Sequence, residues 1–409
     1  MRRYILLFAA AAMIVAGCNP AVIDGGDDNF KELRLSTKAA EYIQKGNDFS
    51  LSFMEKINEA EEGSYVISPL SLQYLLGMIL NGAKGQTADE ICEVLGYGAG
   101  ETGSVNEYCK SMLTQLPKLD DKTTLKIANA IMVAKRGDLL ASYKNTVANY
   151  YEAYVESVDF SNTSLALSKI NGWCNRNTNG LIPKILDDLS PQTYAVLMNA
   201  LYFKSKWVKT FDKAATAEEP FISKPGEKIK QKMMKKEEQF AYASNNVFRA
   251  VRLPYGNGSF SMIVALPQEG NTVSDVIASL NKTGWKSLAG SMSSRQVQLW
   301  LPKFESKFEA DLTEMLSKLG MPTAFGPIAD FSAMTKEFVC IDMIKQKAII
   351  KVDEEGSEAA AVSIGVIKNT SVGFDPEGTV IFHADHPFLY FITENSSGAI
   401  LFAGRYNGK

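Results

Sequence analysis

An α+β fold in a single domain is what this chain predicts, and three observations predict it. Helical spacing of apolar residues dominates up to about residue 190 and strand-like runs dominate afterwards. No Pro/Ser-rich linker separates the two halves, and there is no internal repeat. With 46% hydrophobic residues in 409, the chain has enough apolar material for one large shared core. The formal charge is −3, from 43 Lys+Arg against 46 Asp+Glu, so the basic excess of a nucleic-acid-binding chain is missing.

The N-terminus is set aside first. "MRRYILLFAAAAMIVAGC" places Arg2 and Arg3 before an apolar run and ends in small residues at Cys18, the layout of a secretory signal. "VAGC" also resembles a bacterial lipobox, which implies a signal peptide over residues 1–17 and a lipid on Cys18 that anchors the chain to a membrane without spanning it. "NPAVIDGGDDN" follows; its Pro, Gly and Asp cannot bury apolar surface, and residues 18–35 read as a flexible acidic tether. Asp24, Asp27 and Asp28 fit a solvated linker, with an outward sorting signal as the alternative. No later segment reaches the roughly 18 apolar residues of a spanning helix. The expected location is the bacterial envelope, at the outer membrane or cell surface.

The elements then follow in order. From Ser36 to Glu59, Ala39, Tyr42, Ile43, Phe49, Phe53, Met54 and Ile57 fall at spacings of three and four, as on one helix face. "SPLSLQYLLGMILNGAKGQT" offers Ser68 as N-cap, Pro69 at the first helical position and a stop at Gly82 and Gly85; a helix so apolar belongs in the middle of the protein. "TTLKIANAIMVA", "YAVLMNALYFKSKW", "NVFRAVRLPYGNGSFSMIVALP" and "RQVQLWLPKFESKFE" read as strands, with "LPYGNGSF" as a hairpin.

The reactive groups are sparse. Cys92, Cys109, Cys174 and Cys340 form no C-x-x-C pair, and buried free thiols are the expectation, although an exported protein is permitted disulfides. The 2 histidines are His383 and His386, too few and too close to the C-terminus to support a Ser/His/Asp hydrolase. No G-x-S-x-G, H-E-x-x-H or Walker A pattern occurs. "HADHP", with His383, Asp385 and His386, reads as a loop entering the strand "FLYFIT", with metal ligation the weaker alternative. Lys228, Lys230, Lys232, Lys235 and Lys236 read as a solvated strand or turn because Glu237 and Glu238 follow at once, with a basic strand face for polyanions the weaker alternative.

The stretch "KVDEEGSEAAAVSIGVIKNTSVGF" is ambiguous on its own. Ser357 followed by Glu358 to Ala361 is a fair helix start. As a strand, however, it would place Ser357, Ala359, Ala361, Ser363 and Gly365 on one uniformly small face. Small residues there would let a strand slide into a sheet over a core already packed.

"VDEEGSEAAAVS" resembles the hinge of an inhibitory serpin reactive-centre loop, and the rest of the chain from about residue 36 matches serpins in order. "YVISPLSLQYLLGMILNGAKGQTADEI" resembles their buried helix, "LMNALYFKSKWVKTFD" their central strand, and "LWLPKFESKFEADLTEMLSKLGM", "AFGPIADFSAMT" and "DHPFLYFITENSSGAILFAGRY" their later segments. The resemblance implies a serpin domain over residues 36–409: a large central mixed β-sheet, further sheets, roughly eight or nine helices, and an exposed loop over about 354–386. It implies no catalytic activity and no cofactor, but suicide inhibition of serine, and of some cysteine, endopeptidases. The cleaved loop would add as a strand, with about 14 residues at roughly 3.3 Å each carrying the acylated protease nearly 50 Å. The partners implied are a target endopeptidase in covalent complex and, through the lipid, a membrane; no nucleic acid is implied, and the protein is expected to be a monomer.

Roles carry over residue by residue. The resemblance implies a Glu354–Lys303 ion pair where the loop enters the sheet, beside Trp207, with Gly356 letting the hinge bend. Ser68, Ser71 and Asn199 match the polar cluster beneath the opening sheet, and Gln346 stands where serpins usually have His. Counting from the hinge places the reactive bond at Thr370-Ser371, whereas the lone basic residue points to Lys368-Asn369, which suits a trypsin-like specificity pocket. Val366, Ile367 and Thr370, with slack around Gly373 and Gly378, fit further proteases. Two rival readings stand: a non-inhibitory serpin, which would carry bulky or charged inward hinge residues, and an exported enzyme, which would need a catalytic group.

Overall fold

The computed structural model describes residues 30–281, 284–357 and 378–409. The leader, Cys18, and the loop positions Ala359, Ala361, Ser363, Lys368, Asn369, Thr370 and Ser371 lie outside the described residues. In chain order the elements are α1 Thr37–Ala60, β1 Tyr65–Ile67, α2 Pro69–Leu80, α3 Gly85–Val94, α4 Thr102–Gln115, β2 Thr124–Ala134, α5 Ala141–Tyr151, β3 Tyr154–Val158, α6 Thr163–Asn177 and β4 Ala195–Lys206. Then come β5 Ala217–Lys224, β6 Glu227–Ser244, β7 Phe248–Tyr255, β8 Phe260–Pro267, α7 Val273–Leu280, α8 Gly284–Ser291, β9 Ser293–Pro302, β10 Phe304–Asp311 and α9 Thr313–Leu319. The last are β11 Lys345–Val352, β12 Gly356–Ser357, β13 Val380–His383, β14 Phe388–Glu394 and β15 Ile400–Tyr406.

Local chemistry explains the first helices. Ser36 caps α1 by accepting from Ala39 N, and the face carrying Tyr42, Ile43, Phe49, Phe53 and Ile57 is buried. Ser68 caps α2, Pro69 opens it, and 11 of its 12 residues are buried, as a helix lying between two sheets must be. The exception, Ser71, turns toward β4. The stop differs from the expected glycine pair. α2 ends at Leu80, and Gly85, at φ 51°, opens α3. Gly82 is small because a Cβ there would stand 2.6 Å from Met334 Cε.

Ahead of α1, residues 30–35 belong to no helix or strand but bond to the body. Lys31 N donates to Ser259 Oγ, Leu33 N to Ser396 Oγ and Arg34 N to Gln115 Oε1. The packed part of the chain therefore begins before Ser36. Among the described residues no helix is long and apolar enough to cross a membrane.

Two sheets share the core. Among the described residues one has 9 strands, in the order β1-β15-β14-β8-β7-β6-β9-β13, with β5 beside β6, and the other has 6; the expected hairpin is the β7–β8 turn. The second runs in the order β10-β11-β12-β4-β2-β3 and is mixed, because β2 and β3 run parallel and the other pairs antiparallel. α2 lies beneath this second sheet, while α6 covers its other face with Ala166, Ile170 and Trp173. β2 is buried over Ala130–Ala134, so alternation fades and the strand reads as a plain apolar run.

The basic run lies in β6, which pairs with β5, β7 and β9; most of its lysines face solvent, whereas the Lys236 side chain is mostly buried. Lys230 faces Glu218 at 3.6 Å, and Lys235 pairs with Glu219 at 2.5 Å. Cys92, Cys109 and Cys174 are buried free thiols, and burial pushes Cys109 to about 12 and Cys174 to about 11. Cys340 departs from the expectation of burial: it is exposed, at the rim of the cavity described below.

Candidate functional site

The site begins where β11 ends. Val352 pairs with Ser357 across a tight turn in which Asp353 N donates to Gly356 O at 2.9 Å, and the Asp353 carboxylate accepts from Glu355 N at 2.9 Å and Gly356 N at 3.3 Å. An Asp that bonds its own downstream backbone favours such a turn. On the other side Gly356 faces Lys206 and Ser357 faces Ser205, so β12 is wedged between β11 and β4. Gly356 and Ser357 of the ambiguous stretch are strand, and Glu358 to Ala361 lie outside the described residues.

The small residues here have a steric reason. A Cβ on Gly356 would stand 2.1 Å from Ser205 O and 2.7 Å from Lys206 Cα, so only glycine allows the chain this close to β4. Ser357 is fully buried, and its Oγ shares a 2.6 Å hydrogen bond with Tyr255 Oη.

Trp207 closes the top of the site. Its Nε1 donates to Asp353 O at 2.8 Å, its backbone N to Glu355 O at 2.9 Å, and its ring stacks on Tyr255 with centroids 4.3 Å apart. Phe211 N donates to Glu354 O at 2.8 Å. Lys303 Nζ donates to one oxygen of the buried Glu354 carboxylate at 2.9 Å and Thr216 Oγ1 to the other at 3.0 Å. Burial pushes the Glu354 pKa up, but the bonds from Lys303, the backbone and Thr216 outweigh it and hold the pKa below its ordinary value of 4.5.

A carboxylate whose pKa is lowered by the seated state supports that state above the ordinary value and loses the support as pH falls through the lowered one. The hinge is therefore expected to loosen below pH 4.5. The check is amide exchange at Glu354–Ser357, whose protection relative to the intrinsic rate at each pH should fall with acid in the native chain and lose this acid dependence in Lys303→Met.

Beneath the hinge lies a polar cluster. Ser68 Oγ donates to Leu401 O at 3.1 Å and caps α2, while Ser71 Oγ donates to Asn199 Oδ1. Asn199 Nδ2 donates to Asn129 Oδ1 at 2.7 Å, and Asn129 Nδ2 donates to Tyr151 O at 2.6 Å. Gln346 uses both ends of its amide on one residue: Nε2 donates to Ser68 O at 2.9 Å and Oε1 accepts from Ser68 N at 3.3 Å. The cluster thus ties β11 to α2 on one side and β4 to α2 on the other.

Below Ser357, among the described residues, β4 and β11 form no ladder with each other; each pairs only outward and with β12. Between them is a cavity of ≈640 Å³, floored by Leu72, Leu75 and Ile79 of α2 and covered by Ile170 and Trp173 of α6. Two facing strand edges carry backbone N–H and C=O groups that want partners. The arrangement suits one extended polypeptide.

The histidine segment is structural. His386 lies 2.8 Å from Asp385 through Nδ1 and 3.1 Å from Pro267 O through Nε2, and His383 Nε2 is 3.2 Å from the Glu219 carboxylate. The bond from His386 lowers the Asp385 pKa. Among the described residues no group of three or more His, Cys, Asp and Glu is placed to hold a metal ion.

Sequence reasoning missed four members of the site: Tyr255, Phe211, Thr216 and Asn129. Asn129 had a signal, because a lone Asn in the apolar run "IANAIMVA" asks for a polar partner across the sheet. Tyr255 was hidden inside the hairpin pattern.

Comparison with known proteins fits this geometry. A family model described as serpin (serine protease inhibitor) matches residues 44–408. Serpin B6 of Macaca fascicularis is 32% identical over 369 residues, covering 88% of this chain and 97% of its own length, and human serpin B9 is 34% identical, covering 83% and 92%. Among solved structures, the thermophilic serpin tengpin in its native state superimposes with a TM-score of 0.82 at 28% identity over 93% of this chain and 96% of its own. Human thyroxine-binding globulin complexed with thyroxine gives 0.81 at 27% over 90% and 98%. The chain, with its two sheets, wedged hinge and open slot, belongs to the serpin family.

Proposed function

We propose that this serpin is a suicide-substrate inhibitor of serine endopeptidases, and of cysteine endopeptidases that bind the same loop. One observation carries the reading: the hinge is seated through Ser357 between β11 and β4, and the slot continues below it for ≈640 Å³. In the register of Gly356 with Lys206, the lower end of β4 at Ala195 faces position 367. Ten more residues, about 33 Å of strand, fill the slot and bring Lys368 to its lower end. This is shorter than the span expected from the whole loop because the hinge is already in place.

The chemistry follows acyl transfer. The protease nucleophile attacks the Lys368 carbonyl, the Lys368–Asn369 bond breaks, and the Asn369 amine leaves. The cut frees the upstream segment to pair with β4 and β11. Trapping succeeds when insertion precedes attack by water on the acyl bond. Ser357 faces the core against Tyr255, so the positions that follow it inward are Ala359, Ala361, Ser363 and Gly365, all small. We further infer that Cys18 carries a lipid and holds this monomer at the bacterial cell surface, where the leader and tether would place it.

The test mixes the chain lacking residues 1–18 with trypsin and with an elastase-like protease, then separates products on denaturing gels and sequences the released fragment. A gel-stable complex with trypsin and a fragment starting at Asn369 is expected, and Lys368→Ala should abolish that fragment. A start at Ser371 would move the bait to Thr370. Cleavage without any complex would favour a non-inhibitory role, of the kind illustrated by thyroxine-binding globulin.

A further inference from the structure

Behind the hinge, between β6, β7 and the segment that follows β4, lies a second, smaller cavity of ≈40 Å³, room for about three water-sized spheres. Its apolar wall is Trp207, Phe211, Phe240 and Leu253. Its charged groups are Lys209, Lys236, Arg252 and Glu238, an excess of cations. Glu238 is already engaged, 2.6 Å from Lys209 and 3.6 Å from Lys236.

Arg252 is the anomaly. Its residue is 91% removed from solvent (9% exposed), and its buried Nε has no acceptor among the described residues. Burial alone accounts for its lowered pKa, with no carboxylate offsetting it. An unpaired buried guanidinium is costly, and a fork of N–H donors at the wall of a cavity suits an anion. Lys236 adds a second buried cation, its pKa pushed down to about 8 by burial, with Nζ donating to Lys209 O and Thr210 O.

We infer that this cavity is a binding site for a small carboxylate with a short apolar body, its charge on Arg252 and its body against Trp207 and Phe211. These two aromatics also hold the hinge backbone at Glu355 and Glu354, so an occupant would lean on the residues that seat the loop. The inference does not depend on the inhibitory reading, because binding is measured without a protease.

The test is calorimetric titration of the chain lacking residues 1–18 with sodium acetate, and with neutral acetamide as its isostere, both small enough for a cavity of ≈40 Å³, at constant ionic strength. Acetate is expected to bind at least about tenfold more tightly than acetamide, and Arg252→Met to lose that margin. Should Arg252→Met fail to fold, the acetate-to-acetamide ratio in the native chain and in Arg252→Lys decides, since Lys keeps the charge and loses the fork. Equal binding of the two compounds, binding by neither, or full acetate affinity in Arg252→Met would overturn the site.

Discussion

Cutting the loop at Lys368–Asn369 is expected to raise the unfolding temperature of this protein by at least about 10 °C. Ten more residues in the slot would form roughly twenty inter-strand hydrogen bonds at about 1 kcal/mol each, against an ordering cost near 1.5 kcal/mol per residue. Filling part of a ≈640 Å³ apolar-floored cavity adds a gain of similar order. A net of order 10 kcal/mol, set against an unfolding entropy of about 2.1 cal/mol/K per residue, gives a shift of that size. Calorimetry of intact and nicked protein checks it. On this account the intact chain is held in a less stable state by connectivity, because the uncut loop stays joined to β13.

The second large effect concerns the hinge. Gly356→Val is expected to turn the inhibitor into a substrate, lowering the yield of gel-stable complex more than about tenfold while leaving loop cleavage intact. The cause is the 2.1 Å approach of a Cβ to Ser205 O, a contact with backbone that no side-chain rotation relieves. Ser357→Arg should act similarly, since its side chain must enter the buried contact with Tyr255. The ratio of complex to cleaved product on a gel measures both. A variant that still traps protease would show that the hinge enters by another path.

Much of this fold was legible because local chemistry and global packing agree. "SPLSLQYLLGMIL" names its own cap, its own first turn and its own burial, and "LPYGNGSF" names its turn. The small alternating residues after Gly356 pointed to a strand that must pass over a packed core. Other features depend on distances between segments far apart in the chain. That Ser357 already touches Tyr255, 102 residues away, is invisible to periodicity. The end-on pairing of the Gln346 amide with both backbone groups of Ser68 was likewise hidden; the sequence showed an amide in place of an imidazole, not that one side chain would satisfy a donor and an acceptor together. The burial of Arg252, inside the run "NVFRAVRLPYGNGSF", is likewise shown only by the fold.

The most direct measurement is hydrogen exchange on the facing edges of β4 and β11 before and after loop cleavage. Insertion predicts that slot-facing amides within Ala195–Lys206 and Lys345–Val352, free of a ladder below Ser357 in the intact chain, become strongly protected once the loop is cut. Unchanged exchange on both edges, with the loop demonstrably cleaved, would contradict the claim that this slot is where the loop goes.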